Sequence, residues 1–123
     1  MRLTLYEGHY AVARLAPESP LPTWLPPRGF FSITRTDHEL SIVCDEDAIG
    51  DPVRVERGWR MLEVEGPIDF ATTGVLASLV SPLAEREISV FAISTFDTDY
   101  LLVKEAQLAR AIAALESAGH RLR

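Results

Sequence analysis

Residues 88–103, ISVFAISTFDTDYLLV, place apolar and polar positions on either side of a polar tip at Asp97-Thr98, which predicts strands over 88–94 and 99–104 joined as a hairpin. The same pattern occurs earlier in the chain. At an offset of 60, VFAISTFDTDYLLVKE lies over FFSITRTDHELSIVCD without a gap, and Phe31/Phe91, Ile33/Ile93, Asp37/Asp97 and Val43/Val103 coincide. Turn and flanking strands match together, so the chain reads as one supersecondary unit built twice.

The second half is the more regular. Gly58 and Gly66-Pro67 bracket residues 59–65, WRMLEVE, as a strand. Asp69 stands where an N-cap would, and Leu76, Leu79, Val80 and Leu83 follow at i, i+3, i+4, i+7, predicting a helix over 71–85. Pro82 has no amide to donate and is expected to kink or shorten its last turn. Leu108, Ala111, Ile112 and Leu115 repeat the helical spacing, Gly119 supplies a left-handed stop, and residues 120–122 form a short last strand. Strand, helix, strand, strand, helix, strand is the ferredoxin-like βαββαβ unit of an α+β protein.

In the first half the hairpin, strands 30–36 and 39–45, is kept while the helices are not. A strand over 10–15 is followed by Pro17, Pro20, Pro22, Pro26 and Pro27, which no regular helix sustains. Leu21, Trp24 and Leu25 are expected to plug the sheet face where a helix would otherwise sit. Residues 45–52 leave room for one helical turn. A face covered by so little leaves apolar surface for a partner, and a homodimer is expected.

Composition narrows the function. With 123 residues there is room for one compact body or two small packed units, and 47% apolar with 24% charged residues is ordinary for a folded module. A net charge of −6 with scattered basic residues argues against a nucleic-acid backbone as partner. Cys44 is the single cysteine, which excludes an internal disulfide and any multi-cysteine metal site; it is expected to be a half-buried strand residue. Acid and histidine within the first ten residues leave no signal-peptide core, and no run reaches the roughly 20 apolar residues that span a bilayer. No membrane partner follows, and the cytoplasm is the expected compartment.

The order of elements, together with GVLASLVSPLAEREISVFAISTFDTDYLLV, resembles the ACT domain family. More narrowly, the chain is similar to small bacterial tandem-ACT proteins, which resemble the regulatory region of aspartate kinase and the ACT repeats of CASTOR-type arginine sensors. The resemblance implies a degenerate N-terminal ACT-like unit over 1–57 and an intact ACT unit over 58–123, packed as one compact body. It also implies a regulatory module without catalysis or cofactor, binding a small molecule, usually an amino acid, at an interface between ACT units. Its ligand contacts carry over to Thr72, Thr73, Gly74 and Val75 at the first helix start, and to Thr95, Phe96 and Asp99 at the strand end. The sensors have an acid where Thr72 stands, which argues against arginine, since a guanidinium wants carboxylate partners.

The chemistry of these residues agrees. A helix start presents unpaired amides and the positive end of its dipole, a seat for a ligand carboxylate. Gly74 permits close approach of a ligand, or equally of a strand to the helix. Asp99 can hold an ammonium or cap a turn, and Thr95 and Phe96 add a hydroxyl and an aromatic wall.

Other classes find less support. His9, His38 and His120 are far apart and no nucleophile elbow occurs, so no catalytic set is drawn. A metal shared by Asp97 and Asp99 with Asp37 or Glu39 would need the two hairpin tips to meet. No glycine-rich phosphate loop is present. Phe30, Phe31 and Phe91 lie on strands without the basic residues of an RNA-binding sheet; Arg28 and Arg35 are expected to pair with acids. The remaining alternative is a ligand-free module of this fold that pairs with another protein.

Overall fold

The longest strand in the structure, a computed structural model that describes residues 1–50 and 54–123, is β5, Arg54–Val64. Residues 51–53, in the stretch expected to hold one helical turn, lie outside the described residues; the turn itself is a 3-10 helix over Glu46–Ala48. Before β5 come β1 (Arg2–Leu5), β2 (Tyr10–Leu15), β3 (Phe31–Arg35) and β4 (Leu40–Asp45). After it come α1 (Val75–Glu85), β6 (Phe91–Ser94), β7 (Asp99–Lys104), α2 (Leu108–Ser117) and β8 (Arg121–Leu122). The chain divides into two bodies, Gly8–Trp59 and Met1–Glu7 with Arg60–Arg123.

In the first body, β3, β4, β2 and the first part of β5 pair antiparallel in that order. Leu40, Ile42 and Cys44 are fully buried on β4, so Cys44 lies deeper than expected. Trp24 and Leu25 pack against them as the plug, with the indole so close to Gly50 that a Cβ there would lie 2.6 Å from the ring. Leu21, expected in the plug, is 53% exposed instead. Among the described residues Arg35 pairs with no acid. Its guanidinium donates to the carbonyls of Pro17 and Ser19, tying the proline-rich segment, which has few amides of its own to pair, to β3.

The second body has the predicted βαββαβ sequence, with one strand more. Its sheet runs β6-β7-β5-β1-β8, because β1 pairs antiparallel with β5 and parallel with β8. Residues 1–7 thus belong with the second body, not with a unit over 1–57, and the division falls inside β5 at Trp59/Arg60. The reason is burial: Leu3 joins a core of Leu62, Val64, Leu101 and Val103 from the sheet, under Leu79 and Leu83 of α1 and Ala111 and Leu115 of α2. In α2 the third buried position is Ala114, and Ile112 is only half-buried.

The first helix departs from expectation at its start and ends at Glu85 as expected. It starts at Val75, four residues late, because Gly74 has φ 78°, a left-handed conformation that no α-helix interior contains. It also runs through Pro82 to Glu85.

Candidate functional site

The site is built where the segment before α1 meets the tip of the β6–β7 hairpin. Ile68 N–H donates to the Asp97 carbonyl at 2.7 Å, and the Thr98 hydroxyl donates to the Val64 carbonyl at 2.5 Å. Thr98 is only 6% exposed, although it lies at a hairpin tip. Gly66 completes the join: a Cβ there would lie 3.1 Å from both the Asp97 oxygen and the Thr98 Cβ. Backbone is fixed to backbone, so the two walls are held at one spacing.

Asp69 is not the helix cap. Its Oδ1 accepts from the Ala71 amide at 2.8 Å and its carbonyl from Thr72 at 2.9 Å, which closes a local turn that ends before α1 begins. The N-cap is Gly74, whose lack of a side chain leaves the first amides of α1 uncapped. They carry the positive end of the helix dipole.

Between the two walls lies an open cleft of about 280 Å³. Six of the seven expected residues line it: Thr72, Gly74 and Val75 on one side, and Thr95, Phe96 and Asp99 on the other. Thr73 does not line it. On the hairpin side, Ser94 Oγ donates to Asp99 Oδ1 at 2.6 Å across the paired strands, which orients the carboxylate and leaves Oδ2 without a partner among the described residues. Thr95 N–H donates to the Thr98 carbonyl at 2.8 Å and closes the tip.

Phe70 and Asp97 also line the cleft; Phe70 was not singled out in the sequence, and Asp97 only as an acid of the hairpin tip. Phe70 meets Phe96 edge to face, with ring centroids 4.9 Å apart and planes at 88°. The available signal was Phe70 itself, an aromatic residue in a polar loop beside a helix start. Among the described residues, Asp69, Asp97 and Asp99 are the charged ones of the lining, and no Lys, Arg or His joins them. The cleft therefore offers acceptors for a cationic group on one wall and amide donors for an anionic group on the other.

Behind the tip, a cavity of about 430 Å³ shares Thr95, Asp97 and Thr98 and adds Glu63, Glu65 and Tyr100. Tyr100 donates from its hydroxyl to Glu63 Oε2 at 2.7 Å, and burial together with that carboxylate holds its phenol above the usual tyrosine range. Tyr6, edge to face with Tyr100 at 6.5 Å, is raised in the same way. Among the described residues, no three His, Cys, Asp or Glu side chains gather as a metal site would require. No helix of the described residues is long and apolar enough to cross a membrane.

A model of the ACT domain family matches residues 54–117, and a second model, described as an N-terminal domain, matches residues 8–52. The chain is 30% identical over 120 residues to the human protein named cytosolic arginine sensor for mTORC1 subunit 1, covering 91% of this chain and 36% of that one. To its Bos taurus counterpart the identity is 33% over 97 residues, 70% of this chain and 30% of the other. The chain thus spans about a third of the length of these curated relatives. A crystal structure of an Agobacterium tumefaciens protein superposes with a TM-score of 0.93 at 44% identity, over 99% of this chain and 91% of that one. The ligand-free regulatory subunit of aspartate kinase from Thermus thermophilus superposes with a TM-score of 0.67 over 95% and 96% of the chains; at 13% identity it shares the fold alone.

Proposed function

We propose, since this chain belongs to the ACT domain family, that it is a non-catalytic regulatory module that binds a free amino acid in the cleft between the loop before α1 and the β6–β7 tip. One observation carries the reading: uncapped helix amides and the oriented carboxylate of Asp99 line one cleft of amino-acid size. The amides suit the α-carboxylate and Asp99 the α-ammonium. The relatives named as arginine sensors support an amino acid as the ligand class. A homodimer in the cytoplasm belongs to the same reading, and sedimentation of the full chain tests the dimer: a monomer with and without ligand removes it.

A thermal-shift screen of amino acids on the wild-type chain and on Asp99→Ala tests the site. A ligand at 100 times its Kd adds about 2.7 kcal/mol, which moves a domain of this size by several degrees. The shift should vanish in Asp99→Ala; a panel without any shift, or a shift that survives the substitution, defeats the reading.

A second reading is a ligand-free module that pairs with another protein, favoured by the exposure of Phe70 and Phe96. Native mass spectrometry of freshly purified protein separates the two. A retained small molecule supports the sensor, and an empty chain supports the adaptor.

A further inference from the structure

We infer that the Phe70–Phe96 pair is the specificity-determining element of this cleft: it receives the side chain of the bound amino acid and selects a large one that carries no negative charge. This rests on the amino-acid reading above. The first observation is exposure. Phe70 is 73% and Phe96 79% exposed, although the rings come from different elements and meet edge to face. Phenylalanine is normally among the buried residue types, and these two keep ring surface in water at the lip of a cleft they line. A ligand side chain laid on that surface removes apolar area from water, and two rings already in contact lose little freedom when covered.

The second observation is charge. Asp69, Asp97 and Asp99 line the cleft together with the rings, and among the described residues none of the lining is basic. An acidic side chain would enter a cleft of like charge, a repulsive element of the kind that rejects wrong partners. A long aliphatic or aromatic side chain gains the ring contact, and a cationic one gains the ring quadrupole as well. A small side chain such as alanine's reaches neither ring.

Isothermal titration of the full chain, of Phe70→Ala and of Phe70→Leu, with alanine, norleucine, phenylalanine, lysine and glutamate as probes, tests the inference. The wild-type chain should bind its best large probe about tenfold tighter than alanine, with glutamate the weakest. Phe70→Ala should lower the affinity for the large probes more than that for alanine and so erase most of that preference, and Phe70→Leu should keep part of it. Because Phe70 is exposed, an unchanged melting temperature shows that the fold survives. An unaltered order in Phe70→Ala, or glutamate bound as tightly as norleucine, overturns the inference while the amino-acid reading stands. So does a Phe70→Ala variant that loses a dimer and keeps the ligand order, which would assign the rings to a protein contact. No binding by any probe defeats both.

Discussion

His120 donates from ring Nε2 to the Ser78 carbonyl at 2.9 Å, and that carbonyl is the one that Pro82 deprives of its helical partner. In α1 the oxygen of Ser78 would accept from residue 82, where proline has no amide. The nearly buried imidazole, 7% exposed, supplies the missing donor from beyond the end of α2, and α1 continues past the proline to Glu85. Donation to a carbonyl requires a proton on Nε2.

His120→Ala should therefore destabilise the chain by about 1–3 kcal/mol, because it leaves a part-buried acceptor without its donor and removes a nearly buried ring. In a Pro82→Ala background the helix regains its own donor, and the same substitution should cost about 1 kcal/mol less. Urea unfolding of the four proteins measures the coupling. Equal costs in both backgrounds would break the link between proline and histidine.

The two helices end by the same device with different residues at the left-handed position. At the end of α2, His120 N–H donates to the Leu115 carbonyl and Gly119 N–H to Glu116, each at 3.0 Å. At the end of α1, Ile88 N–H donates to Leu83 and Glu87 N–H to Ala84, also at 3.0 Å. Ile88 and Leu83 belong to one core, the apolar contact that accompanies this motif. The left-handed residue of α2 is Gly119, whereas that of α1 is Glu87 at φ 57°, where a Cβ is strained by about 1–2 kcal/mol. Glu87→Gly should raise stability by about 1 kcal/mol, seen as a higher thermal midpoint. An unchanged or lower midpoint would count against the strain.

Much of this was legible in the sequence because periodicity reports burial. Leu79 and Leu83 of the helical stripe are fully buried, and both hairpins form in the expected places. What escaped has physical reasons. The strand β1 has four residues, too short for alternation to stand out, and its place beside β8 depends on pairing across the whole chain. The helix start was misread because Asp69, a good N-cap, caps its own turn, and Gly74 cannot be told from an interior glycine without its φ angle. Pro82 marked a weakness in α1, but the remedy at His120 lies 38 positions away in sequence. In the site, the residues carried over by resemblance came together with the exception of Thr73, whereas Phe70 had no periodic pattern to announce it.

Cys44 gives a prediction about pH. Burial, with the Asp45 carboxylate adding to it, pushes the thiol up to about 11 from an ordinary value of 9.0. The folded chain favours the neutral thiol, so this contribution is fully present below pH 9 and is lost as pH rises through about 11. At pH 8 a thiol reagent should modify the native chain far more slowly than the urea-unfolded chain. Equal rates would mean that the thiol is not held in the core.

The spacing of the two cleft walls rests on Gly66. A methyl group at that position would meet the Asp97 oxygen and the Thr98 Cβ at 3.1 Å and the Ile68 nitrogen at 3.3 Å, two of them backbone atoms that no side-chain rotation relieves. Gly66→Ala should therefore push the hairpin tip away from residues 66–68 and lengthen the bond from Ile68 to Asp97, costing about 1–3 kcal/mol. Gly74 is the control, because a Cβ there meets nothing within 4 Å and its substitution by alanine strains only the local backbone. Hydrogen exchange at the Ile68 amide should accelerate in Gly66→Ala and stay near wild type in Gly74→Ala. If both variants accelerate it equally, the tip is held by something other than its contact with Gly66.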